Sequence, residues 1–150
     1  MNFPEKTLVK LMALSLSLWP LAPVLSQTDI GASGLEWSGQ LGAAAQMKAE
    51  DMAQKGYFAH TSPDGLSPWH WFYEVGCKPR YAGENLALSL TPGSDFMKHW
   101  MASAKHRNNL LNKNYTEIGI GIARGKYAGR EVYYIVQLFG NPGTENPQNI

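Results

Sequence analysis

Glu117-Ile118-Gly119-Ile120-Gly121-Ile122-Ala123 alternates without a slip. Ile118, Ile120 and Ile122 point one way, and Glu117, Gly119, Gly121 and Ala123 the other, which is the period of a strand. A carboxylate beside two glycines on one sheet face has open space in front of it, so this face is expected to floor a cleft. After a loop over Gly125–Arg130, Val132–Phe139 is apolar at nearly every position except Gln137, as for a strand covered on both faces. The two runs predict an antiparallel hairpin near the end of the chain.

Upstream the period changes to that of helices. Leu41, Ala45, Ala49 and Met52 form one helical stripe, with Ser38 as cap before it and Gly56 as stop after it. The helix is expected over Gln40–Lys55, with Gln46, Lys48, Glu50 and Asp51 on its other faces. Ser62-Pro63-Asp64-Gly65 is turn chemistry. Pro68 opens a short helix, Trp69–Val75, that stops at Gly76. Thr91-Pro92-Gly93-Ser94 breaks the chain, and Ser94 can cap a further helix whose apolar face is Phe96, Met97, Trp100, Met101 and Ala104. An α+β architecture follows, with helices on both sides of a small antiparallel sheet.

Composition narrows the class. At 150 residues the chain has room for one ordinary domain, and 44% hydrophobic with 17% charged residues suits a packed core. Thirteen basic against twelve acidic residues, with no basic run, argue against a nucleic-acid partner. The single cysteine excludes an internal disulfide and a Cys-rich zinc site.

The amino terminus is of another kind. Lys6 and Lys10 precede Leu11–Leu25, fifteen residues without a charge. A basic start and a short apolar stretch read as an export signal over residues 1–26, with cleavage after Ser26. Pro20 and Pro23 interrupt the stretch, which is short for a membrane span of ~20 residues, so no stable span is expected once the signal is removed. Residues 27–140 would form the domain and 141–150 a frayed tail. The expected location is outside the cell or in its envelope.

Of the four histidines, His60 stands in a turn, and His106 is placed just past the helix that starts near Ser94. Glu84 lies among small residues, and Glu117 opens the Ile-rich strand. Neutral imidazoles bind divalent metals, carboxylates orient them, and the same groups serve as general acid and base. Spacing alone does not bring the four together, because nothing here has the form of a helix-borne His-Glu-x-x-His motif.

The order Gly56-Tyr57-Phe58-Ala59-His60, Gly83-Glu84-Asn85-Leu86-Ala87, His106-Arg107-Asn108-Asn109-Leu110-Leu111 and Tyr115-Thr116-Glu117-Ile118-Gly119-Ile120-Gly121 closely resembles the CAP superfamily. That family holds the cysteine-rich secretory, antigen 5 and pathogenesis-related 1 proteins, and the lack of paired cysteines is similar to its bacterial SCP-domain branch. The resemblance spans about Gly34 to Gly140. It implies an α-β-α sandwich with His60, Glu84, His106 and Glu117 lining one central cleft. It also implies that His60 and His106 can bind zinc or another divalent cation, with the glutamates hydrogen-bonded nearby or reaching it through water. The family has no settled enzymatic activity. Sterol, lipid, glycan or peptide ligands all fit what the resemblance implies.

Two departures stand out. Members usually carry a helix before the segment that here reads Gly34-Leu35-Glu36-Trp37, and only Gln27–Ser33 is left for it after cleavage, so either that helix is missing or part of residues 5–25 supplies it. The family's Ser-Pro-Gly-His stretch reads Ser103-Ala104-Lys105-His106, and Lys105 would disfavour an imidazolium beside it.

Trp69-His70-Trp71-Phe72-Tyr73 could form a stacking platform, but aromatics at helical spacing more often pack in a core. His70 and His99 read as ordinary histidines, Cys77 as an unpaired, partly buried thiol, and Lys105, Arg107 and Lys113 as a solvated basic group. No Gly-x-Ser-x-Gly elbow is present. Three readings follow. The favoured one is a secreted binding module with a cation and a small ligand or polymer end in its cleft. The others are a metal-assisted hydrolase of peptide or cell-wall material, with Glu84 or Glu117 as general base, and a structural surface domain.

Overall fold

The computed structural model describes residues 34–91 and 95–142. The export signal expected over 1–26, the missing or shortened first helix, Ser94 and positions 143–150 of the tail lie outside the described residues.

Strand β1 (Glu36–Trp37) leads into helix α1 (Gly39–Lys55). The Ser38 side chain accepts from the Leu41 amide, and Gly56 ends the helix in the left-handed region at φ 66°. Leu41, Ala44, Ala45, Ala49 and Met52 are buried, as the stripe requires. Lys48, placed on the polar face by the sequence pattern, is instead fully buried between Ala44 and Met52 in helical register.

Helix α2 (Pro68–Glu74) buries Trp71 and Phe72 and leads to strand β2 (Pro79–Ser89), which the apolar pattern does not announce. Glu84 and Asn85 interrupt that strand's middle, yet both are buried. The next helical stretch is two helices, α3 (Phe96–Ala102) and α4 (Ala104–Leu110), meeting at Ser103. Asp95 is the observed cap of α3, accepting from the Lys98 amide. His106 therefore lies just past α3, as expected, and falls within a second helix, α4.

Strands β3 (Glu117–Tyr127) and β4 (Arg130–Pro142) form the expected hairpin. The loop is tighter than Gly125–Arg130. Pairing runs to Tyr127 and Arg130, leaving Ala128 and Gly129 as a two-residue turn with φ of 49° and 79°. Both positive angles mark a type I′ turn, whose twist matches the strands. The sheet order is β1-β3-β4-β2, antiparallel except for the short parallel pair of β1 with β3.

Two apolar layers separate across this sheet. Val132, Tyr134, Val136 and Leu138 of β4 pack with α1 and α2 on one face. Ile135 and Phe139, with Ile118, pack against Phe96 and Trp100 of α3 and Leu110 of α4 on the other. The fold is an α-β-α sandwich.

The glycine face of β3 is not a cleft floor. A Cβ on Gly119 would lie 2.6 Å from the Leu41 carbonyl oxygen, and closer still to Leu41 C and Gly42 N. One on Gly121 would strike Ala45 and Gln46 backbone, and one on Gly125 would come within 2.9 Å of Ala53 Cα. These glycines let the backbone of α1 lie directly on the sheet, so the space they leave is filled by a helix.

Side chains close the sheet's margins. On β2 the carbonyls of Ala82, Glu84 and Leu86 accept from Tyr115 Oη (3.0 Å), Asn109 Nδ2 (3.0 Å) and Trp100 Nε1 (3.2 Å). On β3, beyond the end of β1, the Gln46 amide donates to the Ile122 carbonyl (3.1 Å) and accepts from its N–H (3.0 Å).

Candidate functional site

His60 lies in the loop that leaves α1. Behind it the Ser62 hydroxyl accepts from the Leu66 amide (3.1 Å), and the Ser62 N–H donates to the Leu66 carbonyl (2.9 Å). From below, the Lys48 ammonium donates to the His60 carbonyl and to Tyr57 Oη, both at 3.0 Å. Tyr57 in turn donates to Asp51 Oδ2 (2.5 Å), which with burial holds its phenol well above the ordinary range.

Glu84 comes from the middle of β2, and its side chain is only 4% exposed. Its Oε1 lies 2.5 Å from His60 Nδ1, whereas Oε2 is buried and has no partner among the described residues. A buried acceptor without a donor is costly, so Oε2 is poised for a hydrogen bond from something that enters. The hydrogen bond that His60 donates to Glu84 raises the His60 pKa above its ordinary value; partial burial and the Lys48 charge oppose the shift, and the carboxylate's charge reinforces it.

His106 approaches from the α4 side. Its carbonyl accepts from Asn85 Nδ2 (3.2 Å), and its ring centroid is 6.3 Å from that of Trp100. Asn85 also donates to Gln137 Oε1 (3.0 Å), and Asn109 donates to Asn85 Oδ1 (2.8 Å). This buried amide cluster ties α4 to the sheet. Burial first, and the His60 charge second, lower the His106 pKa. The two imidazoles thus feel each other and are pushed in opposite directions. Lys105 is exposed and takes no part in the shift, so the direction expected for His106 has a different cause.

Glu117 is half-buried at the start of β3, in register with Glu36 and Gly140. Its charge acts on Cys77, whose thiol is raised first by burial and then by this carboxylate. Among the described residues no hydrogen bond or ion pair joins Glu117 to His60, Glu84 or His106.

A cleft of about 210 Å³ opens beside His60 and Glu84, walled by Pro68, Trp69 and Phe72 and by the β2 backbone at Ala82 and Gly83. The aromatic run therefore divides: Trp71 and Phe72 are buried, while Trp69 and Tyr73 are exposed and Trp69 lines the cleft. His70 lies 3.8 Å from Glu74, and His99 Nδ1 2.9 Å from the Asp95 carbonyl, as ordinary helical histidines do. Cys77 is buried more completely than expected.

Sequence reasoning passed over Lys48, Asn85 and Asn109. Asn85 and Asn109 stand inside the quoted motifs. The signal for Lys48 is the apolar series Ala44, Lys48, Met52, in which a lysine occupies an inward position.

The candidate cation ligands are the two imidazoles. With Nδ1 of His60 committed to a carboxylate, Nε2 is the nitrogen left to bind, the arrangement in which an outer carboxylate orients a ligating histidine. Among the described residues no group of three or more His, Cys, Asp or Glu side chains is arranged to hold a metal ion. No helix among the described residues is long and apolar enough to cross a membrane.

Comparison with known proteins gives consistent results. Residues 30–139 match the family described as CAP: Cysteine-rich secretory protein family. The uncharacterized protein YkwD of Bacillus subtilis (strain 168) is 38% identical over 91 residues, covering 61% of this chain and 35% of that protein. The uncharacterized membrane protein YlbC of the same organism is 30% identical over 131 residues, 80% of this chain and 38% of that protein. The chain thus spans little more than a third of the curated relatives it matches. A 1.5 Å crystal structure of an extracellular protein containing a SCP domain, from Bacillus anthracis strain Ames, superposes with a TM-score of 0.58 at 30% identity, over 71% of this chain and 33% of that one.

Proposed function

The chain belongs to the CAP family of cysteine-rich secretory proteins, and from that premise we propose that it is an exported binding module. Its cleft at His60, Glu84 and His106 takes a divalent cation, zinc before others, and beside it a small ligand or polymer end. The observation that carries this reading is Glu84, a buried carboxylate with one oxygen on His60 Nδ1 and the other unpartnered beside an open cleft. His60 and His106 would hold the cation. Their opposed shifts leave His106 favouring the neutral form that metals bind, while a metal at His60 would have to displace a proton. A bound cation would supply Lewis acidity and an attachment point for an oxygen or nitrogen of the ligand. Glu84 orients His60, Trp69 offers an aromatic face, and Glu84 Oε2 accepts from a hydroxyl, amide or ammonium of a glycan, peptide or lipid headgroup.

The binding reading is favoured over hydrolysis. Glu84 Oε1 is taken by His60, and among the described residues Glu117 is joined to neither imidazole, so Glu117 is not held beside a cation that the imidazoles would bind.

The test is metal content by elemental analysis and zinc titration by calorimetry, on the exported protein and on a His60→Ala/His106→Ala variant. Near-stoichiometric zinc in the wild type and none in the variant is the expected result. A wild type that takes up no zinc, or a variant that takes up as much, overturns the cation part.

A further inference from the structure

Lys48 is fully buried at the middle of α1, on the side that faces the sheet and the His60 loop. Among the described residues no carboxylate lies within 4 Å of its nitrogen. Its ammonium is solvated by the Tyr57 hydroxyl, by the His60 carbonyl and by the faces of Tyr57 and Trp71, 4.9 and 5.6 Å from the ring centroids. An apolar side chain of the same length would fill this space without the desolvation of a charge, so stability does not explain a lysine here. What the lysine adds is reach: it links the helix core to the main chain of the residue that meets Glu84.

We propose that Lys48 is a positioning residue of the cleft, gripping the His60 carbonyl so that the imidazole is presented to Glu84. Asn85 does the same for His106 from the opposite side of the sheet, through that residue's carbonyl. Both imidazoles are thereby placed through their backbones, by side chains anchored in the core. The inference rests on His60 belonging to the cleft and deepens the proposed function.

The experiment uses the chain with Lys48→Met. Methionine keeps the length and the apolar stem and loses the donors. Imidazole nitrogen NMR of the metal-free protein reads the His60 Nδ1–Glu84 hydrogen bond directly. In Lys48→Met that signature is expected to collapse toward that of a free imidazole, while the thermal midpoint holds or rises. Zinc affinity is expected to fall by about tenfold to a hundredfold, the range for residues that orient a ligand. Lys48→Gln keeps a neutral donor on a shorter arm and is expected to fall between. An unchanged His60 signature in the folded variants, or loss of the fold in both, overturns the proposal. The NMR arm needs no cation, so its failure sinks the positioning role alone, whereas a wild type that binds no zinc sinks the cation reading alone.

Discussion

Gly119→Ala separates two ways of using a glycine on a sheet face. If the glycine opens a cleft, an added methyl is tolerated by the fold and blocks a ligand. In the structure it meets the backbone of α1, with the Leu41 carbonyl oxygen 2.6 Å away. Ordinary contact for a Cβ begins at 3.4 Å, so the helix must retreat by at least about 0.8 Å at this point. A gap of that size forfeits roughly a quarter to a half of the dispersion attraction of each contact it opens. Leu41, Ala44, Ala45, Ala49 and Met52 all share that seam. Overpacking of this kind costs about 3 kcal/mol, and relief of the strand glycine's entropy returns about 0.5–1 kcal/mol. The net loss of about 2 kcal/mol should lower the thermal midpoint by roughly 6–9 °C. It should also shift a urea midpoint by about 1 M, at a slope near 2 kcal/mol per molar. Gly121→Ala meets Ala45 and Gln46 in the same way and should behave alike. Gly39→Ala, with nothing within 4 Å, is the control and should stay within about 0.5 kcal/mol of wild type. Urea unfolding followed by circular dichroism decides the matter. Midpoints for Gly119→Ala and Gly121→Ala equal to that of the control would show that helix contact is not what these glycines serve.

Three other outcomes are expected. In metal-free protein His60 and His106 should titrate on opposite sides of 6.5, His60 above it through its bond to Glu84, and His106 below it through burial. His60 stabilises the fold fully below its unfolded pKa, and that contribution is lost as pH rises through the folded value. His106 has the opposite sign, its contribution being present above the unfolded value of 6.5 and lost as pH falls from there through the lower folded value, because the unfolded chain takes a proton that the fold disfavours. NMR titration of Glu84→Gln should bring the His60 midpoint down; an unmoved midpoint would contradict the assignment. Asn85→Ala strands the buried Gln137 amide and the His106 carbonyl and should cost about 2–3 kcal/mol by urea unfolding, with a loss under 0.5 kcal/mol counting against the cluster. Ala128→Asn places a residue that tolerates positive φ in the hairpin turn and should raise stability by about 0.5–1 kcal/mol; a lower thermal midpoint would refute the turn type.

Local chemistry made much of the fold legible. Ser38, the stripe to Met52 and Gly56 delimit α1 to within a residue, because cap, face and stop are all encoded within it. The β3–β4 hairpin is equally plain, since period two persists through Ile122 and a near-continuous apolar run starts at Val132. β2 was hidden because Glu84 and Asn85 are polar for the sake of partners distant in sequence, His60 and Gln137. The same holds for Lys48, whose inward direction depends on a loop that no helical pattern describes. The glycines were noticed, but what fills the space before a glycine is a tertiary fact. Motif order pointed to His60, Glu84 and His106; the contact of His60 with Glu84 is a matter of the folded chain, and Glu117 stands apart from it by register.

The closed margins of the sheet bear on how this protein can associate. An unpaired strand edge is a template on which another chain can continue the sheet, whether as a bound peptide, a second copy or the start of a fibril. Along β2, Tyr115, Asn109 and Trp100 already occupy the carbonyls of Ala82, Glu84 and Leu86, and at Ile122 the amide of Gln46 stands in for a neighbouring strand. An incoming backbone would have to evict those groups one by one before gaining a bond. Strand addition at these positions is thereby disfavoured, which directs recognition toward side chains and the cleft.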